Sequence, residues 1–251
     1  MADRSALDGM ARFGISSGGA LGGISVPVLR AMAKRIGRDH SLAADLWASG
    51  THEARLLAGM VDDPAMVTEK QMEAWAAEFD SWDVVDGTCG NLFDKTPFAY
   101  RKAAEWSSRT AEFVKRAGFV LVAELAVHDK TASDDAFRRF FPIIEREAGD
   151  PRNFVRKAVN WALRQIGKRN LTLHHEAIDV ATRIHLTGPR SARWVASDAM
   201  RELQSDAVRL RVGASRVRRP RPGSPSSPPP RRRAPAGPQR IRAGLPPSRG
   251  A

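Results

Sequence analysis

Helical periodicity runs through almost all of the first 213 residues, and it constrains this chain more than any other feature. Apolar residues recur at helical spacing in VPVLRAMAKRIG (26–37), EARLLAGMV (53–61), EKQMEAWAAEF (69–79), AEFVKRAGFVLVAELAV (111–127), NFVRKAVNWALRQIG (153–167) and EAIDVATRIHL (176–186). No segment shows a sustained strand alternation. The breaks are short and carry turn chemistry, at Asp62-Asp63-Pro64, Asp150-Pro151 and Gly188-Pro189. Ser133 suits the cap of a helix beginning near Asp134, and Thr187 or Ser191 the start of the last helix.

The helices also echo one another. Phe113-Val114-Lys115-Arg116-Ala117 returns 41 residues later as Phe154-Val155-Arg156-Lys157-Ala158, and more loosely at Ala192-Arg193-Trp194-Val195-Ala196. A period near 40 in helical sequence fits paired-helix repeats of the HEAT type. Such pairs bury their apolar sides on their neighbours and stack into a superhelix. The expected fold is therefore an all-α HEAT-like solenoid over residues 1–213.

Charge separates the rest of the chain from this body. Residues 214–251 hold ten Arg and ten Pro with no Asp, Glu or Lys, so they account for +10 of the formal net charge of +12 and leave the body near +2. The composition predicts a disordered Arg/Pro-rich tail. It reads as a solvated extension in preference to a phosphate-binding arm. In the body, basic residues cluster at Lys34/Arg35/Arg38, Lys115/Arg116, Arg138/Arg139, Arg156/Lys157 and Arg164/Lys168/Arg169. Each alone is an ordinary exposed helix edge, whereas several on one side would suit nucleic acid.

A single cysteine excludes an internal disulfide framework and a Cys-rich metal site, and it suits a reducing cytoplasm. Cys89 has no His at nucleophile spacing and reads as a buried thiol. His174-His175 lacks the further ligands a metal site needs. No apolar run approaches the ~20 residues of a membrane span, and the MADRSALDGMARFG start lacks a signal-peptide core. A cytoplasmic monomer with no membrane contact is expected.

Four further patterns occur in order: Met10-Ala11-Arg12-Phe13 with Leu21-Gly22-Gly23-Ile24-Ser25-Val26-Pro27; Ser81-Trp82-Asp83-Val84-Val85-Asp86; Phe113-Val114-Lys115-Arg116-Ala117; and Phe154 through Arg164, reading FVRKAVNWALR. As an ordered set over roughly 8–210, they resemble the bacterial alkylpurine DNA glycosylases built from HEAT-like repeats. The resemblance implies removal of cationic N3- and N7-alkylated purines from double-stranded DNA, without extrusion of the base and with no metal or organic cofactor. It implies Asp86 as the catalytic carboxylate, Trp82 and Trp161 as the aromatic residues flanking the deoxyribose, and Arg116 as a phosphate grip. Lys115, Arg156, Lys157, Arg164 and Phe13 complete the implied DNA-contacting set. Phe13 stands where the best-known members have Tyr, Ser25-Val26 gives less polar reach, and the short start implies an incomplete lesion-covering N-terminal helix.

These residue types suit the chemistry. An alkylated purine is a cationic leaving group and departs neutral, so it needs no general acid. Positive charge develops on the sugar as the bond breaks, and a carboxylate aimed there stabilises the transition state more than the ground state. Trp82 and Asp86 are four residues apart and share a helix face, as do Trp161 and Arg164 at a spacing of three. Other roles compete. Asp86 could be an exposed helix residue, Asp83 or Asp86 could cap the helix, the tryptophans could fill the core, and Lys115 could be the phosphate contact. Trp75, Trp106 and Trp194 read as core. The alternative function is a non-catalytic HEAT-like scaffold that binds DNA or protein.

Overall fold

The computed structural model describes residue 15 and residues 23–214. Among these residues every regular element is helical. The α-helices are α1 (Val26–Ile36), α2 (His40–Ala48), α3 (His52–Val61), α4 (Glu69–Ala77), α5 (Trp82–Asn91), α6 (Ala99–Trp106), α7 (Glu112–His128), α8 (Asp134–Arg138), α9 (Phe141–Glu147), α10 (Asn153–Gly167), α11 (Leu171–Thr187), α12 (Arg190–Leu203) and α13 (Asp206–Ala214). A 3₁₀ turn at Phe93–Lys95 separates α5 from α6. None of these helices is long and apolar enough to cross a membrane.

Local chemistry sets the helix ends. Pro27 sits in the first turn of α1, where its missing N–H leaves no bond unmade, and Gly37 ends that helix at φ +80°. Thr68 and Asn170 accept from the backbone N–H of Gln71 and Leu173, capping α4 and α11. Ser133 stands at the N-cap of α8, and Pro189, rather than Thr187 or Ser191, at that of α12. The expected breaks at Asp62, Asp150 and Gly188 all fall between helices. The chain divides into two units at Arg218/Arg219, and α13 continues the first through Ala214. The tail expected from 214 onward lies outside the described side chains, as does Phe13.

One helix from each repeat joins a row in which α3, α5, α7, α10 and α12 pack in succession. Partner helices cover the row, including α2 on α3, α6 on α7 and α11 on α12. This is a HEAT-like repeat arrangement, and the echoed segments explain it: Phe113 of α7 and Phe154 of α10 meet with ring centroids 5.6 Å apart. Helix α7 buries every residue from Arg116 to Ala123. Its Gly118 lies so close to the end of α6 that an added Cβ would sit 2.4 Å from the Ser107 nitrogen. A line of aromatic rings, Trp47, Trp75, Phe93 and Trp106, threads the N-terminal repeats, and Trp47 stacks on Trp75 at 4.1 Å.

Ion pairs brace successive repeats. Lys102 reaches Glu73 at 2.7 Å, Lys115 reaches Glu147 at 2.5 Å, and Arg138 reaches Glu176 at 2.9 Å. Arg183 binds Glu145 at 2.7 Å, and Arg164 binds Glu202. The partners are 29 to 38 residues apart, close to one repeat. Buried cations such as Lys102, 3% exposed, are thus neutralised across repeat interfaces.

Candidate functional site

All the site residues predicted from sequence that lie among the described residues fall on three neighbouring helices of the central row: Trp82 and Asp86 on α5, Lys115 and Arg116 on α7, and Arg156, Lys157, Trp161 and Arg164 on α10. Ser81 holds the N-cap position of α5, so Trp82 starts that helix and Asp86 follows one turn later. Neither Asp83 nor Asp86 is the cap.

Asp86 is gripped from α7. Nε and one terminal nitrogen of Arg116 donate to its two carboxylate oxygens at 2.9 and 2.7 Å, and the other terminal nitrogen donates to the carbonyl of Phe154 on α10 at 2.7 Å. A single guanidinium therefore ties three successive helices of the row. Its carbon lies 5.9 Å from the centre of the Trp82 ring. The Arg116 side chain is 7% exposed and that of Asp86 is 22% exposed, so the pair is shielded while the carboxylate still meets solvent. A carboxylate offers about four lone-pair positions; Arg116 occupies two and leaves room for a water or a ligand.

Asp86 and Trp82 line a cleft of about 470 Å³, together with Val26, Arg30, Leu56, Met60, Asp83, Gly87, Gly90, Asn91, Glu124 and His128. Burial pushes the Asp86 carboxyl above its ordinary value, Arg116 pulls it back, and the charge of Asp83 pushes it up again. Asp83 is itself paired with His52 at 2.9 Å, and that imidazole is almost fully buried on α3. Burial works against both charges, yet their attraction outweighs it: the imidazole ends above its ordinary value and the carboxyl below.

Two features of the cleft went unread in the sequence. Glu124 enters from α7, and burial is the main cause of its raised pKa. It fits because residue 90 is glycine, where a Cβ would lie 2.8 Å from the Glu124 Oε1. A lone carboxylate within FVLVAELAV was the available signal. His128 follows one turn later, held by the buried Asp94 at 2.5 Å. That contact crosses 34 residues and has no local signature.

The remaining candidates divide. Trp161 is partly buried against the core and is not among the residues lining the cleft. Lys115 is 12% exposed and engaged by Glu147 and Asp150, and Arg164 pairs with Glu202. Arg156 lies over the Trp194 ring at 4.8 Å, and Lys157 is exposed. Trp194 is 38% exposed, so the core role expected for it fails: Arg156, rather than the interior, covers its face. Trp75 and Trp106 are core residues as expected, and Cys89 is a fully buried thiol.

Comparison with known proteins agrees with this architecture. The family described as DNA alkylation repair enzyme matches residues 1–203. A solved protein described as belonging to a new family related to the HEAT-like repeat DNA glycosylases, with affinity for branched DNA structures, superposes with a TM-score of 0.68 at 17% identity, covering 84% of this chain and 91% of its own. A designed armadillo repeat protein in complex with a (KR)4 peptide reaches a TM-score of 0.36 at 10% identity over 75% of this chain and 80% of its own. No curated protein matches the chain.

Proposed function

The chain belongs to the DNA alkylation repair enzyme family, and from that membership we propose that it is a DNA glycosylase hydrolysing the N-glycosidic bond of cationic N3- or N7-alkylated purines in duplex DNA. The observation that carries the reading is the Asp86 carboxylate, held by two hydrogen bonds from Arg116 beside the Trp82 ring at the wall of an open cleft. When the bond from C1′ to the purine nitrogen breaks, the electron pair leaves with the base and neutralises it. The sugar becomes oxocarbenium-like. A carboxylate fixed in place before reaction stabilises that charge without reorganising. Its remaining lone pairs orient the water that adds to C1′ and releases a proton. Trp82 contributes a π-face to the same cation.

In this reading Arg116 positions the carboxylate, and a DNA phosphate is held by other donors; exposed Lys157 and the half-exposed Arg156, on the adjoining helix of the row, are candidates. Duplex DNA carrying N7-methylguanine is incubated with the full chain, and released base is measured for the native protein and for Asp86→Asn. Release by the native protein, lost in the variant while DNA affinity persists, is the expected result. Because burial and Asp83 both raise the Asp86 carboxyl, activity falls on acidification at a pH above the ordinary Asp value of about 3.9.

One observation favours the scaffold reading. Asp86 and Arg116 are 30 residues apart, the spacing of the other braces between repeats, so their pair also serves a purely structural role. Under that reading no lesion is released, and affinity for duplex or branched DNA is unchanged by Asp86→Asn.

A further inference from the structure

A second cavity, of about 410 Å³, opens beside the C-terminal ends of α7 and α10, where Lys130, Gln165, Lys168, Arg169 and Arg211 meet a single carboxylate, Asp134. The four cations come from three separate segments: the turn after α7, the turn after α10, and α13. Asp134 is engaged by the Asn170 side-chain amide at 2.7 Å, and Lys168 by Glu202 at 2.6 Å.

Arg169 stands apart from most shielded cations: Lys102, Lys115 and Arg116 each touch a carboxylate, while Arg169, like the half-buried Arg156 stacked on Trp194, touches none among the described residues. Its terminal nitrogens donate to three backbone carbonyls, those of Ala126 and Asp129 at 2.8 Å and of Ala132 at 3.2 Å. Its guanidinium lies over the Phe137 ring at 4.0 Å, and its Nε is buried without a hydrogen-bond partner. Burial pulls its pKa down, and Tyr100, Asp129 and Asp134 offset this only in part, through charge at a distance. A shielded guanidinium with an unmade hydrogen bond and no counter-ion in contact is unfavourable. It persists here because it latches the turn that carries Lys130 to the end of α7.

We propose that this cavity is an anion site for a phosphate group, and specifically for a backbone phosphate of the nucleic-acid strand whose neighbouring nucleotides occupy the Asp86 cleft. An incoming phosphate supplies the counter-charge that Arg169 lacks and meets ammonium, guanidinium and amide donors together. The location fits. Glu124 and His128 of the last turns of α7 face the Asp86 cleft, and Ala126 and Val127 of those same turns line the second cavity. The two cavities therefore flank one helix end. Of the basic residues predicted from sequence as DNA contacts, Arg164 shares Glu202 with Lys168 at the edge of this cavity, whereas Arg156 lies twelve residues before Lys168, about 18 Å at helical rise. The proposal rests on the nucleic-acid binding of the family reading and not on the chemistry of Asp86.

The test uses the full chain and leaves the Arg169 latch intact. Lys130 and Arg211 are both exposed, and Lys130→Ala/Arg211→Ala is compared with Lys70→Ala/Arg190→Ala, an equal loss of exposed charge outside the cavity. Affinity for a labelled duplex is measured between about 50 and 200 mM salt, where each lost phosphate contact reduces the slope of log K against log salt by about 0.9. The cavity variant is expected to lose about 0.9 of slope or more relative to the control. Equal slopes in cavity and control variants overturn the assignment to a nucleic-acid phosphate. A second arm follows thermal stabilisation by inorganic phosphate. If phosphate stabilises the native chain but not the cavity variant while DNA slopes stay equal, the site serves a free phosphate and the strand assignment is wrong. If neither readout moves, there is no anion site.

Discussion

Replacing Arg116 with Met tests whether the guanidinium that ties α5, α7 and α10 is an energetic keystone or a passive contact. The substitution keeps an apolar stem and removes three hydrogen bonds, two to Asp86 and one to the Phe154 carbonyl. Removing one partner of a buried pair destabilises by roughly 3–5 kcal/mol, because the other charge is left without compensation. Asp86 keeps 22% of its side-chain surface in contact with solvent, so the lower end applies, about 3 kcal/mol. In a folded unit of this size each kcal/mol moves Tm by about 2–4 °C, so a fall of about 6–12 °C is expected. Asp86→Asn/Arg116→Met leaves neither charge stranded and should recover part of that loss. Urea titrations of the two single variants and the double variant complete the cycle, with an expected coupling of about 2 kcal/mol. Losses that add to within about 0.5 kcal/mol would refute the reasoning. Arg116→Lys should behave nearly as badly as Met, since an ammonium cannot make the two-pronged contact and also reach Phe154.

The other predictions concern packing and pH. Gly118→Ala would push a methyl to 2.4 Å from the Ser107 nitrogen, a backbone atom that cannot swing aside, so a loss of about 1–3 kcal/mol or more is expected in thermal melts. The His52–Asp83 pair should make stability depend on pH. The imidazole is raised in the folded state, so its contribution is complete below the unfolded value of about 6.5 and lost as pH rises through the higher folded value. The Asp83 carboxyl is lowered, so its contribution is present above about 3.9 and lost as pH falls through the lower folded value. The stability gap between the native protein and His52→Gln should therefore be widest between about pH 4 and 6.5 and narrow in alkaline solution; a gap independent of pH would show that the pair is not ionised. If the proposed glycosylase activity is present, Asp83→Asn should move the acid limb of base release downward, because a neighbouring negative charge that disfavours Asp86 ionisation is gone.

What could be read from the sequence was whatever repeats locally or at fixed period. The helices at 26–37, 53–61, 69–79 and 153–167 recur as α1, α3, α4 and α10 with ends moved by no more than two residues, since their boundaries are set by turn residues within the segments. Trp82 and Asp86 could be placed on one face because a spacing of four needs only the helix. The partner of Asp86 could not be read this way. The resemblance implies a phosphate for Arg116, but its guanidinium meets Asp86, 30 residues away. The His52–Asp83 contact spans 31 residues and the His128–Asp94 contact 34. Such distances are meaningful only once the stacking register of the repeats is known. Trp194 illustrates the reverse case: tryptophans in helical repeats mostly fill the core, yet Arg156 of the preceding repeat covers this one at the surface.

The same register decides which basic residues are available to an anion. In a solenoid each repeat touches only its neighbours, so a cluster of cations in sequence meets whatever charge lies one repeat away. Of the five clusters in the body, Lys115/Arg116 is held by Glu147 and Asp86, Arg138 by Glu176, and Arg164 with Lys168 by Glu202. Arg38 donates to the carbonyls of Met60 and Asp62. These cations hold the stack together, which explains how a body of net charge near +2 can contain so many basic runs. Lys34, Arg35, Arg139 and Lys157 are exposed and form no ion pair among the described residues, while Arg156 and Arg169 are partly shielded and have none either. Nucleic-acid affinity of the body should therefore follow this small subset, and replacing a braced cation such as Lys115 should lower stability before it changes the salt dependence of binding.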